Sequence, residues 1–422
     1  MEWGTARVLR DRDAGLYLGG VLISGFGSSA MLLVAGIWVK SLTNSNSLAA
    51  LAGFCVWAPM WLGPLIGTLA DRVRRRPLLV AVNTGLALLL PVLLGVRSSH
   101  GVWLIFAVLF LYGTASVLCD AAEAAIVTAT VPDALRGDFN GLRMTANEAM
   151  KLLAPLIGAG LFARYGGGPV ALLDAVTFAL AALVFALLRV REAAPAPLTT
   201  GGWRTQTAEG IRYLRRHPAL RRLVGVGSAA MLLSALSSSA IYAVVDAGLH
   251  RSPAFTGVLY SVQGAGSVVG GLLAGPLLRR MPERLFAAAG MAVFATGIAL
   301  RAVPLTAAVL AGSGSIGVGL PWVIVAGLTA VQRETPGDLI GRVAATASTV
   351  VFAPTALGSL VGAGLVAVVD YRVLLGSLGV AGAVVAVAAS GALRRGGVRD
   401  RGTGPDTAPV QEAGPSSSRS RR

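Results

Sequence analysis

Four ionisable residues lie inside two long apolar segments of the sequence. Asp120 and Glu123 are three residues apart in one segment, and Glu148 and Lys151 are three residues apart in the next. Residues at this spacing share a face of a helix. Three carboxylates and one ammonium group cannot all stay ionised cheaply in a low-dielectric environment. The cluster therefore indicates a carboxyl group that binds and releases a proton, or alternatively a structural ion pair of Lys151 with Asp120 or Glu148.

Few other groups in the sequence have the types and spacing that chemistry requires. The two cysteines, Cys55 and Cys119, lie in apolar runs, and the three histidines have no partner spacing. Neither a disulfide scaffold nor a metal site is indicated. The sequence contains no G-x-x-x-x-G-K-[ST] phosphate-binding loop and no nucleophile–base arrangement. We therefore expect no enzymatic activity, no metal and no cofactor, and a proton gradient as the energy source.

The elements that must position the four charges are apolar helices. Hydrophobic residues make up 55% of the 422 residues and charged residues only 13%, and the mean hydropathy is +0.71. A soluble domain carries about 25% charged residues, and a transmembrane helix needs about 20 apolar residues. We expect an all-α polytopic membrane protein with twelve transmembrane helices, at residues 15–39, 48–70, 77–96, 102–128, 137–163, 168–189, 222–248, 254–278, 284–303, 305–331, 338–367 and 371–393.

The basic residues predict how these helices are oriented. With twelve spans, 29 of the 36 Lys and Arg residues lie on the side that holds both termini, and six lie on the other side. Basic residues concentrate on the cytoplasmic side of membrane proteins. We therefore expect a multi-pass protein of the inner or plasma membrane with both termini in the cytoplasm. The net charge of +16 then fixes orientation, and nucleic acid is not expected as a partner.

The chain repeats itself at an offset of 204 residues. Residues 156–161 (LIGAGL) return as residues 360–365 (LVGAGL), and a separate block around Gly67 returns around Gly271. Six spans separate the copies, so both halves have the same orientation, as in secondary transporters that rock one half against the other. The predicted domains are an N-terminal segment 1–13, a six-helix half 14–191, a linker 192–221 with an amphipathic helix, a second half 222–394 and a disordered tail 395–422.

Residues 67–76 (GTLADRVRRR) resemble the signature G-x-L-A-D-R-x-x-R-R of the major facilitator superfamily. Residues 7–13 with 22–27, 209–223 and 332–343 are similar to its branch of twelve-helix drug–proton antiporters, which includes macrolide-type efflux pumps and siderophore exporters. The resemblance implies the major facilitator fold. It also implies that Gly67 allows close packing and that Asp71 latches one half to span 11, with Arg72 and Arg76 joining that network. Arg74 departs from the glycine of many relatives.

Span 5 resembles the antiporter motif G-x8-G-x3-G-P-x2-G-G of the same superfamily. Gly141, Pro155 and Gly158 are retained, whereas other glycine positions are replaced by Met150, Ala154 and Ala159. A proline frees a backbone carbonyl and small residues let helices slide, so the motif favours export, and ordinary glycine–alanine packing is the alternative.

One further comparison with relatives concerns span 4. Many relatives have an arginine there, at or near the position of Glu123, so the proton relay of those relatives is not carried over. For Asp174 we favour a packing role, and Asp246 with His250 forms either an outer gate or, as we favour, a solvated helix end.

Together these features predict a secondary active transporter that exports a small amphipathic compound by proton antiport with alternating access. Its partners would be a small-molecule substrate and the lipid bilayer, and the protein would be a monomer. Two alternatives remain open. One is a siderophore or metabolite exporter or importer of the same fold, and the other is a membrane sensor or assembly partner that transports nothing.

Overall fold

The computed structural model describes residues 10–63, 66, 73–130, 136–189, 203–336 and 339–396. Among these residues, the first half of the chain forms six α-helices. The first begins at Asp11, whose carboxylate accepts a hydrogen bond from the Ala14 N–H, and ends at Asn44 in the left-handed conformation (φ 57°). The helices are α1 (Arg12–Thr43), α2 (Asn46–Trp57), α3 (Arg75–Leu89), α4 (Val102–Thr130), α5 (Arg136–Tyr165) and α6 (Gly167–Leu187).

The linker between the halves contains a helix that packs against the second half. This helix, α7 (Trp203–Arg216), lies along the chain segment that begins at Ile340. The Tyr213 hydroxyl donates to the Glu334 carbonyl at 2.8 Å, and Arg342 forms an ion pair with Glu209 at 2.6 Å. These contacts hold α7 to one end of the second half.

The second half forms the remaining helices. Pro354 lacks a backbone N–H, so the span predicted at residues 338–367 is divided into two helices that meet at Ala353. The helices are α8 (Pro218–Ser239), α9 (Phe255–Leu278), α10 (Glu283–Leu300), α11 (Thr306–Glu334), α12 (Ile340–Phe352), α13 (Pro354–Val368) and α14 (Tyr371–Gly396). Beyond Ser239, the α8 span continues through short turns to Gly248.

The prediction of an all-α membrane protein is confirmed. Among the described residues, ten helical segments are long and apolar enough to cross a membrane. Two shorter apolar helices, Asn46–Leu62 and Leu152–Tyr165, lie where spans 2 and 5 were predicted. The protein therefore has the expected bundle, in which successive spans alternate in direction. We call its two ends the Arg12 end and the Lys40 end, after residues near the start and the end of α1.

The two halves meet through close packing of α5 against α9 and of α2 against α13. At Gly257, near the start of α9, a side-chain Cβ would lie 2.9 Å from the Pro155 carbonyl oxygen and would overlap Ala159. Glycine therefore lets the α9 backbone approach α5 more closely than any other residue could.

We expect Gly257→Val to destabilise the contact between the halves by about 2 kcal/mol, because the added methyl groups overlap the α5 backbone. The measurement is the melting temperature of the purified protein in detergent. Gly271→Val, on the same helix, is the matched control, since no atom lies within 4 Å of its added Cβ. Equal melting temperatures for the two variants would contradict the prediction.

Candidate functional site

A cavity of about 380 Å³ lies between the two halves. One wall, from α1 and α2, is largely apolar and includes Leu32, Leu33, Val56 and Trp57. The opposite wall, from α8 and α9, carries hydroxyl and amide groups. A cavity with one apolar and one polar wall fits a small amphipathic molecule. The polar wall includes Ser234, Ser238, Tyr242, Tyr260, Gln263 and Ser267.

An ion pair joins the halves at the Lys40 end of the bundle. The Lys40 Nζ lies 2.7 Å from the Asp246 Oδ2 and also donates to the Asn44 carbonyl at 3.0 Å. Lys40 is only 3% exposed, whereas the Asp246 side chain is half exposed. The sequence favoured a solvated helix end at Asp246, but the structure pairs it across the halves. His250 is exposed and has a positive φ of 51°.

Further contacts reinforce this closure. Gly36 on α1 packs against the Tyr242 ring of the α8 span, and a side chain at position 36 would overlap the Tyr242 hydroxyl. The Ser47 hydroxyl donates to the Ala363 carbonyl of α13. The named contacts between the halves therefore cluster on the Lys40 side of the cavity. On its other side, the Trp61 Nε1 donates to the Ala353 carbonyl at 3.0 Å and also joins the halves.

A second ion pair lies toward the Arg12 end, between α4 and α5. The Glu123 Oε2 lies 3.4 Å from the Arg143 Nη2, and the two side chains are 15% and 30% exposed. The buried Tyr17 ring packs beside them against Phe139 and Phe185. The sequence identified Glu123 but counted Arg143 only as a basic residue that sets orientation. Arg143 lies inside the predicted span 5, so the criterion that selected Lys151, a charged residue within an apolar span, also selects Arg143.

The other members of the predicted cluster are placed less completely. Asp120 lies about one turn before Glu123 on α4, with an exposed side chain. Glu148 and Lys151 lie on α5, but their side chains are outside the described part of the structure. The predicted network of four charges therefore stays a prediction, and the pair of Glu123 with Arg143 is the part that the structure describes.

The motif at residues 67–76 lies only partly within the described part of the structure. Gly67, Asp71 and Arg72 lie outside the described residues, so the predicted latch to span 11 stays a prediction. Arg76 donates to the carbonyl oxygens of Phe185, at 3.3 Å, and Ala186 at the end of α6. A cation at a helix C-terminus is favourable, and this contact fastens α3 to α6 within the first half.

The residues of the antiporter-like motif all lie on α5. Gly141 is near its start, and Pro155 lies inside the helix and lines the cavity. At Gly158 an added Cβ would lie 2.9 Å from the Cβ of Ala30, so this glycine lets α5 pack closely on α1. Pro155 and Gly158 therefore form a surface of α5 that contacts both α1 and α9.

Two buried polar side chains lie outside the predicted cluster. Asp174 is fully buried and accepts hydrogen bonds from Thr177, at 3.1 Å, and Tyr112, at 3.3 Å. This network joins α6 to α4. Arg301, which the sequence placed in an outer loop, is 2% exposed and donates to the Gln263 and Ser313 side chains. Sequence reasoning missed both Arg301 and Gln263, although Arg301 lies within the predicted bounds of span 9.

A helical bundle in two halves around a central cavity, each half built from six predicted spans, is the architecture of a secondary membrane transporter. The sequence profile of the Major Facilitator Superfamily matches residues 17–250 and 223–420. The chain therefore belongs to the Major Facilitator Superfamily, and it is a multi-pass membrane transporter of that fold. Among curated proteins, none matches the chain significantly by sequence.

Solved transporters share this fold at low sequence identity. A variant of the nucleoside transporter NupG aligns with a TM-score of 0.72 and 14% identity over 90% of this chain and 99% of that chain. A variant of the peptide transporter POT in complex with alafosfalin gives 0.68 and 16%, over 90% and 94%. A bacterial homologue of the iron transporter ferroportin, in an inward-facing state, gives 0.68 and 18%, over 90% and 99%.

We expect loss of the pair of Lys40 with Asp246 to open the cavity at the Lys40 end. Lys40→Ala removes an attraction of about 1 kcal/mol and leaves Asp246 without its cation. The measurement is the labelling rate of Ser238→Cys by a membrane-impermeant maleimide, in a Cys55→Ala, Cys119→Ala background. The labelling rate should rise about fivefold when the reagent is applied at the Lys40 side.

Two further variants control this experiment. The exposed position of Ser98→Cys identifies the membrane side at which the Lys40 end lies. The charge-reversed double variant, Lys40→Asp with Asp246→Lys, should return the labelling rate of Ser238→Cys toward that of the parent protein. An unchanged rate in Lys40→Ala would show that the ion pair does not close the cavity.

Proposed function

We propose that this transporter exports a small amphipathic compound by proton antiport with alternating access. The observation that carries the proposal is the amphipathic cavity between the halves, together with the ion pair that joins the halves at one end of it. The distribution of basic residues favours placing the Lys40 end on the outer side of the cell membrane. The described conformation is then the state in which the outer path is closed.

The proposed proton carrier is Glu123, with Asp120 and Glu148 as further members of the cluster. An ionised Glu123 attracts Arg143, whereas a protonated Glu123 does not, so proton binding weakens the link between α4 and α5. Since α5 also packs against α9 of the other half, a change at Glu123 can bias how the halves meet. This geometry supports proton coupling through an ion pair that forms and breaks.

The proposed direction is export. The α5 sequence resembles the antiporter motif and retains its Pro155 and Gly158. These two residues lie on the surface where α5 meets α1 and α9. Uptake of a metabolite, or export of a siderophore, would use the same cavity. A sensor or assembly partner would need the two conformations but no net movement of substrate.

Everted membrane vesicles with an acidic interior test this proposal. Vesicles that contain the protein should accumulate at least one compound from a panel of amphipathic drugs, antibiotics and siderophores, and a protonophore should abolish the accumulation. Accumulation only in right-side-out vesicles would establish uptake instead. If a variant trapped in one conformation keeps its biological effect, the sensor alternative is correct.

We expect Glu123→Gln to reduce gradient-driven accumulation at least tenfold, because the amide cannot carry the proton. Exchange of compound across the membrane without a gradient should persist in this variant. Glu283→Gln is the matched control, since Glu283 also pairs with an arginine, Arg333, at 2.6 Å near the Arg12 end. If Glu123→Gln, Glu148→Gln and Asp120→Asn all retain pH-driven transport, proton coupling through this cluster is wrong.

A further inference from the structure

A buried guanidinium group lies behind the polar wall of the cavity. Arg301 follows α10 at the Lys40 end and is 2% exposed. Its Nε and Nη2 donate to the Ser313 Oγ at 3.1 and 2.9 Å, and its Nη2 donates to the Gln263 Oε1 at 2.9 Å. Among the described residues, no carboxylate lies within ion-pair distance of Arg301. Because no described counterion neutralises this cation, it creates a positive potential at the wall. Burying such a charge is costly, and the hydrogen bonds to Ser313 and Gln263 offset part of that cost.

The contact with Arg301 fixes the orientation of the Gln263 side chain. A guanidinium group only donates hydrogen bonds, so the amide atom that faces it must be the oxygen. The amide nitrogen, Nε2, therefore faces away from Arg301. Gln263 lines the cavity, and no described residue accepts a hydrogen bond from its Nε2. The cavity lining at this point therefore includes an amide whose two N–H groups have no partner among the described residues.

The hydroxyl groups of two neighbouring serines donate to backbone carbonyls, so they do not compete with Arg301 or with the Gln263 amide for these hydrogen bonds. Ser313 donates to the Val309 carbonyl at 2.9 Å, so its oxygen is free to accept from Arg301. Ser267, one turn after Gln263 on α9, donates to the Gly317 carbonyl at 3.2 Å and has no proton left for a ligand. None of the described lining residues is an aspartate or a glutamate. The polar wall therefore favours hydrogen-bond acceptors over cations.

We propose that Gln263 binds a carbonyl or carboxylate oxygen of the transported compound through its amide N–H groups, and that Arg301 sets this orientation and disfavours organic cations. The proposal rests on the proposed function in one respect, namely that the cavity holds the transported compound. The apolar part of such a compound would then lie against Val56 and Trp57 on the opposite wall. Gln263 is the residue that determines specificity, and Arg301 is a positioning residue.

The same hydrogen bonds also join α9, α10 and α11, so a purely structural role must be separated from ligand selection. A structural role predicts that removing Gln263 lowers the melting temperature and weakens every ligand equally. Ligand selection predicts a change in the ratio of affinities between acceptors and cations. The ratio is therefore the quantity to measure.

Binding to the full chain in lipid nanodiscs, without any gradient, tests the proposal. The probes share a naphthalene ring and differ in the polar group: 1-naphthaleneacetamide, 1-naphthaleneacetate and the cation 2-(1-naphthyl)ethylamine. Titration calorimetry gives each Kd, with empty nanodiscs as the correction for partition into lipid. The acetamide and the acetate should bind the parent protein at least tenfold more tightly than the amine.

Two substitutions at one position and a neighbouring control sharpen the test. Gln263→Leu should reduce the preference for acceptors about tenfold. Gln263→Glu keeps an oxygen for Arg301 but replaces the N–H donors with an acceptor, so the preference should shift further toward the amine. Val262→Ala, next to Gln263 on α9 but outside the described cavity lining, should leave the affinity ratio within twofold of the parent, because it removes no polar group.

Three results would overturn the proposal. They are an amine that binds the parent as tightly as the acetamide, an affinity ratio that Gln263→Leu leaves unchanged, and no binding of either acceptor probe at millimolar concentration. Because binding is measured without a gradient, the two proposals can fail separately. Selective binding with no gradient-driven transport in vesicles would reject proton antiport and support Gln263 as the acceptor-binding residue. Gradient-driven transport with no preference for acceptors would support proton antiport and reject the role of Gln263.

Discussion

An ionised side chain inside an apolar helical bundle is stable only when neighbouring groups compensate for the water it has lost. The described interior charges of this protein satisfy that constraint by joining helices. Lys40 pairs with Asp246 across the two halves, Glu123 pairs with Arg143 between α4 and α5, and Arg301 donates to α9 and α11. Each compensating contact therefore determines which helices stay together and which can separate.

The strength of these contacts suits a protein that changes conformation. Asp246 is half exposed, and the distance between Glu123 and Arg143 is 3.4 Å, so neither pair is locked by complete burial. An ion pair with a solvent-accessible partner contributes less free energy than one from which water is fully excluded. In contrast, the hydrogen bonds of Asp174 with Thr177 and Tyr112 are fully buried within one half. Of these contacts, the pair of Lys40 with Asp246 is the one that crosses between the halves, and its accessible carboxylate lets it break and reform while the buried network of Asp174 stays intact.

Close packing of small residues provides the second requirement for movement of the halves. At Gly257 the absence of a side chain brings the α9 backbone within contact distance of α5 across the two halves, and at Gly158 it does the same for α5 and α1 within the first half. Helices that meet through smooth glycine and alanine surfaces can shift without first separating interlocked side chains. The antiporter-like motif was an imperfect match in sequence, yet its retained residues lie where α5 meets its neighbours.

The sequence by itself determined the membrane class, the approximate position of the ten spans found among the described residues and the membership of the superfamily. These properties depend on local composition and on motifs that are continuous in the chain. It also identified Glu123, because a charge in an apolar run is visible without a partner. The break at Pro354 was missed as a boundary, since prolines are tolerated inside transmembrane helices, as Pro155 and Pro321 are in this protein.

Only the tertiary structure decided which charges meet. Asp246 is separated from Lys40 by 206 positions, and Gln263 from Arg301 by 38. No spacing rule connects residues on helices that become neighbours only when the bundle assembles. The polar wall of the cavity depends on such neighbours as well, because the orientation of one glutamine amide follows from an arginine on another helix. Local sequence determines which residues lie in the membrane, and long-range packing determines what each of them can bind.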